Sequence, residues 1–338
     1  LQCVAGTLFL CSVFATAQEL EVGTFEFPRF QLREAKGRDA KLEMLEGFLR
    51  EWKGYGLTRL YYHSRADSLK DRHWVAGLSL EDMHRTGNKV GIEFIPILNT
   101  YQVAKKKLIA AGKTEHDICQ VFAPSGKLGR KRHVCPINPL VQEEMRKLVR
   151  SIARDGLEVG LETIALDDEY GIGQVWHGPG LPCYCEHCRA FARQRLGHKP
   201  PEPIYVAPGS IIDDNDPFYE WLALHGYNYP TSKMMRYHNA DLRQVAREID
   251  PNLKVVQMPG AYHGELDAVV SEFYEYSWAG AELDGVRKMQ HIRMTQDASP
   301  QKPVWPLFGW YGRAPVPPWI GAHVNLVGKL AAAQGAAS

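Results

Sequence analysis

Hydrophobic positions along the chain follow two different periods. Strict alternation or a short apolar run predicts a strand, whereas apolar residues three and four positions apart predict a helix. Glu21–Phe27 alternates as a strand does, and Leu42–Trp52 has helical spacing that ends before Gly54 and Gly56. The pattern continues with helices over 80–85, 139–154, 237–249, 285–295 and 320–333, and with strands over 57–62, 90–98, 161–166, 253–258, part of 266–276 and 303–310.

This order of elements predicts an α/β fold, because repeated strand–helix units form a parallel sheet with its helices outside. The number of units favours a (β/α)8 TIM-type barrel over a doubly wound sheet, and no G-x-G-x-x-G motif follows the first strand. Seven strands are predicted, and the chain ends at Ser338 where an eighth would begin. We therefore expect a barrel whose eighth strand is missing from this chain.

The first residues have the character of a secretory signal. Val4–Ala17 is apolar and rich in small residues, it is short for a bilayer span, and Ala15 and Ala17 form an A-x-A cleavage pattern. We expect a signal peptide over 1–17 that lacks its start, a mature barrel domain over 18–338, and a secreted or periplasmic location. A buried first strand or helix is the alternative interpretation of the same residues.

Composition and charge are those of an ordinary globular protein. Hydrophobic residues make up 45% of the chain and charged residues 23%, and the formal net charge is +1. Such a charge produces no global field toward nucleic acid or anionic lipid. The one dense basic run, Lys127–His133, is interpreted as a solvated loop. We expect no nucleic-acid partner and no membrane association after processing, and a homo-oligomer stays open.

Three consecutive carboxylates follow the strand at 161–166. Asp167, Asp168 and Glu169 lie where a barrel builds its active site, at the carboxyl end of a strand. Their mutual repulsion should raise the pKa of at least one of them. A carboxylic acid that stays protonated near neutrality can protonate a leaving group. A helix N-cap or a surface turn explains the same residues equally well.

A Cys-x-Cys-x-x-Cys motif over 183–188 lies just beyond the acidic motif, at the start of a helix. Three thiolates on one loop suit a soft, tetrahedral metal ion. Disulfides or free thiols remain the alternative in an exported protein. The fourth ligand would come from another part of the chain: Cys135 first, with His187 and Cys119 in reserve.

The order of these motifs resembles that of the family 42 glycoside hydrolases. Arg132-His133-Val134-Cys135 is followed by Asp168-Glu169-Tyr170-Gly171, then by the cysteine motif and a helix beginning at Arg189. The family comprises bacterial β-galactosidases with barrel folds and catalytic glutamates on the fourth and seventh strands. The likeness in order and spacing covers residues 132–191, and outside that window it is one of architecture only.

The resemblance implies a role for each matching residue. Glu169 would be the general acid/base, and the substrate would be a carbohydrate. A structural zinc ion would be the cofactor, with no organic cofactor. Asp168 stands where the family has an asparagine that holds the 2-hydroxyl of the sugar, and a carboxylate donates to that hydroxyl only when it is protonated. The zinc ligands would be Cys135, Cys183, Cys185 and Cys188.

The sequence departs from the family at the nucleophile. The family has a glutamate at the end of the seventh strand, whereas residues 298–338 contain no Asp or Glu. The nearest candidates are Glu272 and Glu275 on the preceding strand. Three positions apart, they point to opposite faces, so only one can face the barrel axis. The resemblance favours Glu272, and register decides between them.

Aromatic residues supply candidates for contact with a sugar. Trp278 and Trp310 stand beside glycines at predicted strand exits, and Tyr170 and Tyr274 lie beside the candidate carboxylates. For each tryptophan, packing within the barrel is the competing explanation. The other tryptophans after the acidic motif are Trp176, Trp305 and Trp319.

Two classes of function fit this sequence. One is an enzyme that cleaves glycosides of plant or microbial polysaccharide, and the other is a carbohydrate-binding barrel that lost its nucleophile. The second carboxylate distinguishes them. A metalloenzyme is a weaker third hypothesis, because an all-thiolate site is closed and leaves no position for water.

Overall fold

The structure is a computed structural model that describes residues 22–24, 29–54, 57–64, 68–69, 77–122, 127–128, 132–167, 183, 185–196, 233–258, 266–275 and 303–310. Its elements, in chain order, are β1 (Val22–Thr24), α1 (Arg29–Glu34), α2 (Arg38–Gly54), β2 (Leu57–Ser64), α3 (Leu80–Val90), β3 (Glu93–Leu98), α4 (Thr100–Ala110), α5 (Glu115–Ile118), β4 (Val121–Phe122), β5 (Lys127–Leu128), α6 (Pro139–Val159), β6 (Thr163–Asp167), α7 (Glu186–Leu196), α8 (Lys233–Arg247), β7 (Lys254–Met258), β8 (Val269–Glu275) and β9 (Val304–Trp310).

Seven strands form one closed parallel ring, in the order β1-β2-β3-β6-β7-β8-β9. The first and last strands close it, because Gly23 pairs with Leu307 and Thr24 with Phe308. The pairing between β7 and β8 is the shortest in the ring, because a single residue pair joins these two strands. The α/β barrel predicted from the alternation of elements is confirmed. Within the described residues β1 and β9 lie side by side, with no strand between them.

Alternate residues of the strands face two different cores. Leu60, Phe94 and Val255 belong to the large core between the sheet and its helices, whereas Tyr61 and Val256, each one residue further, lie inside the ring. This is the period-two alternation of a strand with both faces buried. The inner core contains Tyr61, Ile95, Ile97, Ala165, Val256, Ala268, Val270 and Trp305.

A charged pair lies at the amino-terminal end of the barrel interior. Arg59 Nε donates to Glu93 Oε2 at 2.7 Å, and the guanidinium carbon lies 3.7 Å from the centroid of the Trp305 ring. Arg59 and Trp305 are both 3% exposed. Trp305 is therefore a packing residue at the opposite end of the barrel from the strand exits, which agrees with the packing explanation for this tryptophan.

Two differences from the prediction lie on either side of β3. Val90 was expected to begin a strand, but it ends α3, because a capping box at Ser79 and Asp82 and a left-handed Gly91 fix that helix at both ends. Helix α4 lies in a stretch where no element was predicted. Asn99 caps it by accepting from the Gln102 N–H at 3.2 Å, and three consecutive lysines, Lys105–Lys107, interrupt its apolar pattern.

None of the described helices combines the length and the apolar character needed to cross a bilayer. The predicted signal peptide over 1–17 and the predicted helices over 285–295 and 320–333 lie outside the described residues.

Helix α3 packs so closely on the start of β3 that one position must be glycine. A Cβ added at Gly87 would lie 2.6 Å from the Ile92 carbonyl oxygen and 3.6 Å from the Phe94 Cβ. Gly87→Ala should therefore lower the free energy of unfolding by about 1–3 kcal/mol through overpacking. Gly47, on the exposed side of α2, has nothing within 4 Å of its added Cβ. Gly47→Ala should raise the stability by about 0.4–1 kcal/mol. Urea unfolding measures both, and a Gly87→Ala variant as stable as the parent would disprove the close packing.

Candidate metal centre and active-site edge

Four cysteines from two distant segments meet in one cluster. The Sγ atoms of Cys135, Cys183, Cys185 and Cys188 all lie within 4.8 Å of one another. Cys135 Sγ is 3.4 Å from Cys188 Sγ and 3.5 Å from Cys185 Sγ. Thiolates around a tetrahedral zinc ion are about 3.8 Å apart, given a Zn–S bond of about 2.3 Å. The arrangement can hold a metal ion, and the thiols are free of disulfides.

A short two-stranded hairpin in the connection after β3 positions Cys135. β4 and β5 pair antiparallel, and the bridge between Cys119 and Val134 continues the hairpin toward its base. There the Cys135 N–H donates to the Ile118 carbonyl at 2.8 Å. The buried Gln120 reinforces the same base, because its side-chain amide donates to the Val134 carbonyl at 3.2 Å.

Helix α7 orders the second group of ligands. Cys185 immediately precedes the helix and Cys188 lies in its first turn, where the helix dipole favours negative charge. The Cys188 N–H donates to Cys185 Sγ at 3.4 Å, and the Val121 N–H of the hairpin donates to Cys183 Sγ at 3.4 Å. Backbone donors to sulfur orient the ligands and support thiolate charge.

Three of the clustered thiols have shifted pKa values, and the shifts differ in direction. Hydrogen bonds with the Cys135, Cys183 and Cys188 side chains lower the pKa of Cys185. The pKa of Cys135 is raised, first by its hydrogen bond with Cys183, and that of Cys188 is raised, first by its hydrogen bond with Cys135; burial adds to both. Several buried thiolates can coexist only beside a cation, so the donor set suits a soft divalent metal.

The two reserve ligands lie outside this cluster. Cys119 is buried, and its thiol donates to the Arg132 carbonyl at 3.1 Å. His187 is partly exposed and lies 3.6 Å from the carboxylate of Glu186. The cluster among the described residues therefore contains the four cysteines named first from the sequence.

The cluster joins two connections at one edge of the barrel. The hairpin belongs to the connection after β3, and Cys183, Cys185 and Cys188 belong to the connection after β6. Both connections leave the carboxyl ends of their strands, which meet at the same edge of a parallel barrel. The cluster therefore joins the hairpin to Cys183 and the start of α7, which follow the acidic motif in the chain.

The structure places the candidate carboxylates only in part. Asp167 is the last residue of β6 and pairs with Met258 of β7, so the acidic motif begins at a strand exit as predicted. Glu272, Tyr274 and Glu275 belong to β8, and Trp310 ends β9. The sequence predictions for Asp168, Glu169, Tyr170 and Trp278 lie outside the described residues.

Sequence reasoning missed the hairpin that presents Cys135. Its strands are two residues long, so periodicity could not reveal them. Asn138 was a usable signal: its side chain caps α6 by accepting from the Leu140 N–H at 2.9 Å, and it donates to the Asp117 carbonyl at 2.7 Å. An asparagine immediately before Pro139 marks the helix start that anchors this base.

A parallel α/β barrel with acidic and aromatic residues on its strand exits is the architecture of many glycoside hydrolases. Two solved structures that are similar to this chain are a β-galactosidase and a glycoside hydrolase domain. The β-galactosidase from Bacillus circulans sp. alkalophilus is 12% identical with a TM-score of 0.52, and the match covers 93% of this chain and 56% of that one. The glycoside hydrolase domain of PgaB (BpsB) from Bordetella bronchiseptica is 11% identical with a TM-score of 0.48, over 87% of this chain and 94% of that one.

The similarity to the β-galactosidase supports the barrel fold alone. The chain spans little more than half of the length of that β-galactosidase. No family model matches the chain, and no curated protein matches it by sequence.

Proposed function

We propose that the chain is a carbohydrate-active barrel of the family 42 type, in which Glu169 protonates the oxygen of the departing sugar. The observation that carries the proposal is the meeting of Cys135 with Cys183, Cys185 and Cys188. The resemblance assigned a structural zinc ion to these four residues, and three of them follow Glu169 in the connection after β6. The zinc would be structural, because four thiolates leave no open position for a substrate or water.

Glu169 is suited to proton transfer by its neighbours in sequence. It follows Asp167 and Asp168 directly, so ionisation of all three would place like charges side by side. One carboxyl that stays protonated near neutrality can act as a general acid. Asp168 would accept a hydrogen bond from a sugar hydroxyl, and Tyr170 would contact the same ring.

The second carboxylate is best sought on β8. Val270 lies inside the ring, and strand alternation gives Glu272 the same phase as Val270 and Glu275 the opposite phase. We therefore favour Glu272, with Tyr274 in the same phase as a substrate contact. One strand, β7, separates β6 from β8, so their backbones are about 10 Å apart. Glycosidases use carboxylates about 5–9.5 Å apart, which is compatible with this backbone separation.

A glycosidase without a carboxylate on the seventh barrel strand has an unusual mechanism. That strand is β9, and it has no Asp or Glu, although Trp310 at its end could stack on a sugar, as could Trp278. We propose that activity uses Glu169 with Glu272 or with a group of the substrate itself, and that the usual double displacement from the seventh strand is absent.

Mechanism-based labelling tests this assignment. A fluorosugar inactivator that traps a covalent glycosyl-enzyme should be followed by peptide mass mapping, with Glu272→Gln as the variant and Glu275→Gln as its matched control. We expect either an adduct at Glu272 that Glu272→Gln abolishes and Glu275→Gln retains, or hydrolysis without any adduct. An adduct between Ala298 and Ser338 would contradict the proposal.

The second candidate function is a carbohydrate-binding barrel without catalysis. The absence of Asp and Glu from residues 298–338 favours it. Sugar binding without hydrolysis across a panel of glycosides would support this alternative over the enzyme.

A further inference from the structure

Positive charge is concentrated in one part of the chain. Residues 94–142 contain eight of the 40 lysines and arginines but only two of the 39 acidic residues. The whole chain has a formal charge of +1, so the remaining residues together are net negative. An uneven distribution of this kind creates a local field that the overall charge conceals.

The fold brings two separate basic runs together. Lys105 of α4 donates through Nζ to the Arg132 carbonyl at 2.9 Å, which joins the lysine triplet of α4 to the end of the basic run over 127–133. Glu115 lies between them, with Lys105 Nζ at 2.9 Å and Arg132 Nη1 in contact with the same carboxylate. Arg132, near the end of the run that the sequence presents as a solvated loop, is therefore in contact with α4.

The two acidic residues do not neutralise this surface. Hydrogen bonds from Lys105 lower the pKa of Glu115, and those from the Thr114 backbone lower the pKa of Asp117. Both are thus anionic at neutral pH, and both are already occupied, Glu115 by two cations and Asp117 by the cap of α5. Five described basic residues still outnumber these two carboxylates: Lys105, Lys106, Lys107, Lys113 and Arg132.

Lys106 and Lys113 form the outward part of the surface. Both are exposed, and no ion pair involving Lys106 occurs within the described part of the chain. Between them Ile109 is 41% exposed and Ala110 is exposed. The surface therefore combines cations with a small apolar patch.

The position of this surface relates it to the candidate active site. It belongs to the connection after β3, on the carboxyl edge of the barrel, and the Val121–Cys183 hydrogen bond joins that connection to the one after β6. A polymer bound on the exits of β6 and β8 would extend over this edge.

The geometry points to a binding surface for a carboxylated polysaccharide, in which Lys106, Lys113 and their basic neighbours hold uronate groups of the chain beyond the cleavage site. This inference rests on the proposed function, whose substrate class it narrows. Uronate polymers present carboxylates at sugar spacing together with apolar C–H faces, which matches lysines beside Ile109. Double-stranded DNA is a polyanion without carboxylates, and it is the competing ligand in the test.

Charge reversal tests the surface. Lys106→Glu/Lys113→Glu should bind polygalacturonate about tenfold more weakly than the parent at low salt, because each lost ion pair weakens binding several-fold. The matched control is Lys36→Glu/Arg154→Glu, which makes the same charge change at two exposed positions elsewhere, one between α1 and α2 and one on α6. Affinity electrophoresis of the full chain in polygalacturonate and in neutral galactan gels measures both.

Three results would overturn the inference: equal weakening in both double variants, equal retardation in galactan, or binding of double-stranded DNA as tight as that of polygalacturonate. Hydrolysis of neutral aryl glycosides, measured on the same proteins, keeps the two proposals distinguishable. Polygalacturonate binding that depends on Lys106 and Lys113, without hydrolysis, would count against the enzyme and not against the surface. Hydrolysis without such binding would count against the surface and not against the enzyme.

Discussion

Glu169→Gln is expected to leave sugar binding almost unchanged and to lower turnover by about 10²–10⁴-fold, the usual contribution of general acid catalysis. Glutamine has the shape of the glutamic acid but cannot give up a proton to the departing oxygen. The loss should therefore be larger for alkyl glycosides, whose leaving groups need protonation, than for dinitrophenyl glycosides, whose leaving groups do not.

The comparison requires a glutamate that is near in sequence but remote from the strand exit. Glu162 is such a residue, because it precedes β6 at the opposite end of the strand and its side chain is 71% exposed. Glu162→Gln should have the turnover of the parent. Steady-state kinetics with both substrate classes measures the effect, and a Glu169→Gln variant as active as the parent on alkyl glycosides would refute the role of Glu169 as general acid.

Removal of one thiolate from the cluster should destabilise the whole chain. Cys185→Ser is expected to abolish the binding of about one zinc ion per chain and to lower the free energy of unfolding by on the order of 3–5 kcal/mol, as losses of structural metals do. The large effect follows from the position of the cluster, which joins the connection after β3 to the connection after β6. Metal analysis and calorimetric unfolding measure the two quantities.

Cys119 provides the matched control, because it is buried beside the hairpin but is not part of the cluster. Cys119→Ser retains a donor for the Arg132 carbonyl and should keep the zinc with only a small loss of stability. Zinc bound equally by the parent and by Cys185→Ser, or no zinc in the parent purified under reducing conditions, would exclude this metal centre.

The barrel could be predicted from sequence because its strands are buried on both faces and its helices have one apolar side. Leu60 and Tyr61, or Val255 and Val256, illustrate the first condition, since each pair is divided between the outer and the inner core. Helix α4 could not be predicted in this way. Its lysine triplet belongs to a surface, and its buried side becomes apparent only when Tyr101 and Leu108 pack in the fold.

The candidate site, like the fold, could be predicted from the sequence only in part. Cys-x-Cys-x-x-Cys is informative by itself because thiolates at that spacing suit a metal, and the motif order identified Cys135 from nearly fifty positions away. Spacing could not distinguish Glu272 from Glu275, since the choice depends on the phase of β8. The inner position of Val270 is a tertiary property, and it now favours Glu272.

Closure of the barrel by β1 and β9 has a consequence for synthesis. Gly23 and Leu307 are separated by most of the chain, so the ring stays open until the last strand has been made. Contacts between residues so far apart in the sequence form slowly. Until the ring closes, unpaired strand edges can pair with strands of other chains. The brevity of β1, three residues, limits the exposed edge on one side. The longer β8 is the more vulnerable edge of the nascent protein, and chaperones would be expected to bind there first.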